Sequence, residues 1–397
     1  MKIVFISNIF PTPDNYKAAS ALSYHLLKYR PNDVEVIGYS FNANHVPNGI
    51  RNQVEKDLNL NIKLLRSSRF MKWFFRLHLT FLKNFLPYPF GYYNQLSKKI
   101  VKEINALQPD GIWVNGDCLS VALKQLDGFK SVMTMPDCVP LYYHRLMGDK
   151  YLWNSWIQLI GNCDQYYKNL RMEREYPVGE YITYHLVGEQ DRLFFQKINP
   201  KANAVFIRHP HYNFQADKII KFSRPKINLL IAGQYNLYMK TSFDELLPKL
   251  CAEKDLTSHY TITFLGKGWD FAVEQLQNSG FTVRKLGYVD VYLEEISKYD
   301  IQLIPISVGT GTKGKVLDAL ANGLLVIGTP YAVENVAISH NESCIVYNDV
   351  PTLLNILRDI PANREHYENI AEAGRHNVLT FHDRTKVSSQ LFSLFTK

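Results

Sequence analysis

Residues 305–336 read PISVGTGTKGKVLDALANGLLVIGTPYAVENV and concentrate groups able to hold an anion. Gly309, Gly311 and Gly314 would let several backbone amides converge on anionic oxygens, while Thr310, Thr312, Lys313 and Lys315 add hydroxyls and cations. Asp318 follows near the start of an amphipathic helical pattern, where a carboxylate can accept hydrogen bonds from ribose hydroxyls. The plainer alternative is a surface loop with a solvated lysine pair. A second candidate is Gly233 in LLIAGQYNLYMKTSFDELL. A glycine ending a strand lets the backbone approach a phosphate, and the helix that follows offers amide donors and the positive end of its dipole. Gln234 and Tyr235 lie beside it, Lys240 adds a mobile cation, and Gly266 ends the next strand. The spacing is not GxGxxG, so the dinucleotide fingerprint is absent.

In the first half the candidate groups are carboxylates. Asp137, in VMTMPDCVPLYYHRL, follows a strand and could act as a general base; capping the next turn is the alternative. Asp117, in WVNGDC at another strand end, is a secondary candidate for contact with a bound substrate. His144, His209 and His211 read as structural or solvated, and HPH has no third ligand beside it to suggest a metal.

A different chemistry is offered by residues 61–99, which carry Lys63, Arg66, Arg69, Lys72, Arg76, Lys83, Lys98 and Lys99 and no acidic residue. Phe70, Trp73, Phe74, Leu77, Phe81 and Phe85 recur among them. Such a segment can lie at an anionic membrane surface, burying aromatics while cations face the headgroups. It could equally be a helix packed on the sheet with snorkelling cations. Single-stranded nucleic acid is a third reading, disfavoured because no recognition module accompanies the segment.

These groups must be positioned by a chain of 397 residues, 46% hydrophobic, with a net charge of +8 and a pI near 9.0. That length predicts two domains, and the charge asks for an anionic partner. Five scattered cysteines suggest neither a disulfide framework nor a zinc site, and a reducing cytoplasm fits. MKIVFISNIF reads as a buried first strand rather than a signal peptide, and no apolar run reaches the roughly 20 residues of a spanning helix.

Short apolar runs alternate with longer helical patterns, as in parallel βαβ units. Strands are expected at 3–7, 34–39, 62–65, 111–114, 132–135 and 181–186, with helices at 18–29, 94–107 and 152–175. The pattern lapses in RHPHYNFQADKIIKFSR and resumes at 227–232, 261–265, 282–284, 301–304, 325–327 and 344–346. Two doubly wound α/β domains in tandem are therefore expected, with a cleft between the carboxyl ends of their sheets.

The stretch GTGTKGKVLDALANGLLVIGTP resembles the donor-site segment of GT-B glycosyltransferases, particularly the retaining family four. The Gly233 loop, LGYV at Leu286, Gly287, Tyr288 and Val289, and KYDIQLIPI at 298–306 fall in the family's order. The resemblance implies two Rossmann-like domains: an N-terminal acceptor domain (1–207, with 376–397 packing back on it), a linker (208–225) and a C-terminal nucleotide-sugar domain (226–375). It implies transfer of a sugar from a nucleoside diphosphate to a hydroxyl of a glycan or lipid-linked acceptor. Polysaccharide biosynthesis in the cytoplasm or at the inner membrane face is the implied setting. No metal or other cofactor is expected, because cationic groups and helix dipoles neutralise the leaving diphosphate.

Carried over by position, Gly233 matches the family's diphosphate-binding glycine and Lys240 its lysine, and Gln234 stands where an arginine is usual. Lys313 or Lys315 would supply the missing cation. Thr310 and Asp318 occupy the places of the paired glutamates, and Pro136 with Asp137 replaces the N-terminal histidine. Asp137 and Lys240 are thus the expected catalytic groups, and residues 69–76 are placed for acceptor or membrane contact. These departures keep a second reading open, a glycosyltransferase-like binding subunit without catalysis.

Overall fold

A computed structural model describes residues 1–149, 155–289 and 291–396, and the chain divides into two compact units. The first comprises Met1–Met147, Ser155–Pro210 and the C-terminal segment from Arg384; the second is built from His211–Asp383. The first unit carries β1 (Lys2–Ser7), β2 (Glu35–Ser40), β3 (Ile62–Leu64), β4 (Gly111–Asn115), β5 (Ser131–Met135), β6 (Ile182–Leu186) and β7 (Asn203–Phe206). All pair in parallel, in the order β3-β2-β1-β4-β5-β6-β7. The period of two along β1 covers both faces of this sheet: Val4 and Ile6 join one core with Ile112 and Val114, while Ile3 and Phe5 join another with Trp113 and Val132.

The second unit carries β8 (Ile227–Ala232), β9 (Tyr260–Leu265), β10 (Thr282–Leu286), β11 (Ile301–Ile304), β12 (Leu325–Gly328) and β13 (Ile345–Val346). They form a parallel sheet in the order β10-β9-β8-β11-β12-β13. In each sheet the first strand separates strands wound in opposite directions, so the switch points lie between β1 and β4 and between β8 and β11. Ligands of open α/β sheets bind outside the carboxyl ends of the strands at that point.

Several boundaries differ from the sequence expectation. Residues 211–225 are not a free linker but part of the second unit. Ile220 and Phe222 lie in its core, the Phe222 amide donates to Glu368 at 2.7 Å, and the Arg364 guanidinium donates to the Arg224 carbonyl at 2.7 Å. Residues 376–383 also belong to this unit, because the helix Arg364–Phe381 runs on without a break. Only the segment from Arg384 joins the first unit, where Leu391 and Phe392 are core residues and the Ser388 hydroxyl donates to the Leu26 carbonyl at 2.7 Å. The helix expected over 18–29 is Ala21–Lys28, and that expected over 94–107 starts at Lys98, capped by Ser97. The helix expected from 152 runs Trp156–Arg174; its expected residues 152–154 lie outside the described residues. The basic stretch is two pieces, a helix Arg69–Arg76 and a 3-10 segment Leu79–Phe85, because His78 adopts φ 52° and breaks the ladder.

Candidate functional site

In the second unit the carboxyl ends of β8, β9 and β11 carry the glycines and cations singled out in the sequence. Gly233 has φ +119° and Gly266 φ +136°, both in the region that penalises a side chain. A Cβ on Gly266 would lie 2.4 Å from the Gly233 carbonyl oxygen, so the two loops approach at van der Waals limits. The Gly233 amide donates to Leu265 O at 2.8 Å, the Gly266 amide to Leu286 O at 2.7 Å, and the Trp269 indole to Gly233 O at 2.8 Å. Each turn is thereby fixed against the end of the next strand. Tyr235 packs on Trp269 and Phe271, with its hydroxyl hydrogen-bonded to Asp244. The helix Leu237–Ala252 then starts with Asn236 as its cap.

Lys315 is the cation that meets Gly233. Its ammonium donates to the Ala232 carbonyl at 3.2 Å and sits 2.6 Å from where a Gly233 Cβ would be. Burial pushes it down from the ordinary 10.5 to about 8, and the charge of Lys313 adds to the effect. Lys313 instead shapes its own loop. Its ammonium donates to Thr310 O at 2.7 Å and Gly311 O at 3.2 Å, curling the chain before the helix Gly314–Ala321. Two further contacts brace this loop: the Ser307 amide donates to Tyr238 O at 2.8 Å and the Asn335 side chain to Gly311 O at 2.9 Å. The Gly233 and 307–314 loops are therefore joined across the β8/β11 switch point.

The other expected donor residues have distinct placements. Gly309 is buried with φ +155°, while Thr310 and Thr312 are half-buried in the same loop. Asp318 is on the second turn of its helix, half-buried, and contributes after burial itself to raising the Tyr292 hydroxyl above its ordinary range. Tyr292 was not singled out from sequence, because only the fold brings it near Asp318. Lys240 and Gln234 are exposed, and Tyr288 extends into solvent beside Gly287.

In the first unit Asp137 follows β5, two residues before the helix Val139–Gly148. The peptide amides that start this helix are capped by carboxylates from elsewhere. The Cys138 amide donates to Asp191 Oδ1 at 2.9 Å and the Val139 amide to Glu173 Oε1 at 3.2 Å; both acids are fully buried. The Cys138 thiol donates to Glu173 Oε2 at 3.3 Å. Burial pushes Glu173 well above the usual carboxylate range, and the Asp117 and Asp191 charges add to this. Asp117 is also raised, by burial first, with the Asp137 charge a smaller contribution, so these carboxylates face one neighbourhood. Sequence reading missed Glu173 and Asp191, which lie 36 and 54 residues from Asp137 with no motif to link them. It also missed Ser7 and Asn115, register partners at the β1/β4 switch point whose Oγ and Oδ1 atoms are buried without a hydrogen-bond partner.

His209 and His211 are buried and turn Nδ1 toward the carbonyls of Pro210 and Tyr212, and His144 lies against Phe194. Arg69, Lys72, Trp73 and Arg76 are exposed, but Phe74, grouped with Trp73 in the sequence, is buried against Phe70 and Phe90. Among the described residues, no group of three or more His, Cys, Asp or Glu is placed to hold a metal ion.

Residues 219–361 match the family model for glycosyl transferases group 1. No curated protein matches the chain at the sequence level. Solved structures share its fold over the full length. HepE of Anabaena, in complex with UDP and glucose, is 13% identical with a TM-score of 0.66, covering 100% of this chain and 99% of its own. Sucrose-phosphate synthase from Thermosynechococcus elongatus is 13% identical with a TM-score of 0.67, covering 100% and 98%. A trehalose-6-phosphate protein from E. coli, bound with UDP-2-fluoro glucose, is 13% identical with a TM-score of 0.58, covering 100% and 99%. With the strand orders and braced glycine loops described above, these matches give the chain the GT-B fold of known glycosyltransferase structures, with residues 219–361 similar to glycosyl transferases group 1.

Proposed function

We propose that the second unit holds a nucleoside-diphosphate sugar at the β8/β11 switch point and that the chain transfers the sugar to a hydroxyl of a glycan or lipid-linked acceptor. The observation that carries this is the Lys315 ammonium lodged against Gly233, at a strand end where only glycine fits. A diphosphate there would meet a cation already stripped of much of its water, whose contact with an anion is stronger than a solvated one. The family arginine replaced by Gln234 would thus have its role taken by a lysine from the neighbouring loop. The UDP ligands of HepE and of the E. coli protein support uridine diphosphate as the first nucleotide to test.

Asp318 and the half-buried Thr310 are the hydroxyl contacts of this reading, and Lys240 a mobile counter-charge. In the first unit Asp137 is the proposed acid–base or sugar-contact group, held in place by the capped helix start. The leaving diphosphate is neutralised by Lys315 and backbone amides, so the reaction is metal-independent in this proposal and retains the anomeric configuration. In this proposal the basic segment 69–76 lies against the cytoplasmic membrane face beside a lipid-linked acceptor. The test is transfer from a panel of UDP-sugars to glycan and polyprenyl acceptors, read by mass spectrometry with and without EDTA. Product with the donor anomer's configuration and no loss in EDTA is expected. Nucleotide binding without transfer or donor hydrolysis would favour a binding subunit instead.

A further inference from the structure

Two segments of the first unit that are far apart in sequence each expose large apolar side chains. Trp73, Phe81 and Phe85 come from the basic stretch, and Trp156, Ile157 and Ile160 from the start of the helix Trp156–Arg174; Phe85 is 81% and Ile157 84% exposed. Soluble monomers rarely leave so many large apolar groups together in water. The two segments are fastened by Lys168, a buried lysine on that helix. Its ammonium donates to the carbonyls of Lys83 at 3.2 Å and Asn84 at 2.8 Å and pairs with Asp164 at 2.7 Å. Ile157, Ile160, Asp164 and Lys168 follow the three-and-four spacing that makes one stripe of a helix. The stripe therefore leads from the end of the 3-10 segment to Ile160, about 12 Å along the axis at 1.5 Å per residue.

The occupant follows from charge. Residues 61–99 hold no carboxylate, and among the described residues Arg66, Arg69, Lys72 and Arg76 are exposed without an ion pair. Cations also stand over the aromatics, Arg76 at 5.5 Å from the Trp73 ring and Lys83 at 4.6 Å from Phe90. Apolar side chains rimmed by unpaired cations complement an anionic headgroup layer over hydrocarbon. Among the described residues no helix is long and apolar enough to cross a membrane.

We propose that the 3-10 segment Leu79–Phe85 and the start of the helix Trp156–Arg174 form one platform that seats on a bilayer carrying anionic lipid, with Arg69, Lys72 and Arg76 at its headgroup rim. This deepens the membrane part of the proposed function and does not depend on the sugar chemistry. The sequence pointed only to the basic stretch. The second half of the platform, and the lysine that joins the halves, come from the fold.

The test is co-sedimentation of the full chain with phosphatidylcholine vesicles, with and without phosphatidylglycerol, at low and high salt. Trp156→Ser with Ile160→Ser, and separately Phe81→Ser with Phe85→Ser, should each lower salt-resistant binding roughly tenfold, since either removes apolar area from the same seat. Arg69→Gln, Lys72→Gln and Arg76→Gln together should abolish the dependence on phosphatidylglycerol. All seven side chains replaced in these variants are exposed, and circular dichroism checks that each variant is folded. Unaltered binding of the Trp156/Ile160 variant would overturn the joint platform. So would a chain that stays in the supernatant and instead forms a dimer that these substitutions abolish. Vesicle binding that persists in a chain unable to bind UDP supports the platform and sinks the donor assignment alone.

Discussion

Replacing Lys315 with methionine should make the unliganded protein more stable and the nucleotide complex weaker. At about 1.4 kcal/mol per pH unit, the fall from 10.5 to about 8 means that burial costs the charged form about 3 kcal/mol. Methionine removes that cost while keeping most of the apolar stem. It also removes the donor to Ala232 O, worth about 1 kcal/mol, so a net gain of about 1–2 kcal/mol remains. The sign of the pH dependence follows from the lowered value. Below about 8 lysine is charged in both states and the cost is fully present; between about 8 and 10.5 the unfolded chain binds the extra proton, so wild-type stability rises with pH. The advantage of Lys315→Met should therefore shrink across that window. Urea unfolding at pH 7 and pH 9.5 measures it. In parallel, losing a charge-assisted contact to diphosphate, about 1.5–3 kcal/mol, should weaken UDP binding roughly 10- to 150-fold. A less stable variant with unchanged UDP affinity would refute the assignment of Lys315 as a diphosphate cation held under strain.

Asp137→Asn should lower turnover at least about a hundredfold while leaving UDP affinity near wild type, as measured by steady-state kinetics and titration. Because Glu173 is held well above the usual carboxylate range, its stabilising protonated form is lost as pH rises through its folded value. Glu173→Gln should accordingly flatten that loss in thermal melts across pH, whereas Glu173→Ala, which leaves the Val139 amide without its acceptor, should destabilise by about 1–3 kcal/mol. Gly266→Ala should destabilise by about 2 kcal/mol or more, from the clash with Gly233 O and the positive φ, visible as a lowered urea midpoint.

The sheets were legible because their strands are near-continuous apolar runs, which is what burial on both faces demands. Ile227–Ala232 and Ile301–Ile304 coincide with expectation to the residue. The short β7 (Asn203–Phe206), a partly buried edge strand of four residues, was missed. Residues 208–225 looked like a linker because they are polar, yet their carbonyls are satisfied by Arg364 and Arg375 from a distant helix, a pairing no local pattern encodes. At the site, glycine spacing located the loops but could not say which lysine turns inward. The fold directs Lys315 to Gly233 and Lys313 to its own loop. Phe74 likewise shares a short helix with Trp73 but points to the opposite side, so only one of the pair is exposed.

The central claim is that the β8/β11 switch point of the second unit binds a nucleoside diphosphate through Lys315. Equilibrium titration of the intact chain with UDP, GDP, ADP and their sugar conjugates tests it most directly, with Lys315→Met as the paired variant. Saturable binding of one diphosphate per chain, weakened in the variant and weakened in wild type as pH rises above about 8, is predicted. The contradicting result is no binding of any nucleoside diphosphate by the folded wild-type chain, or binding that Lys315→Met and pH leave unchanged.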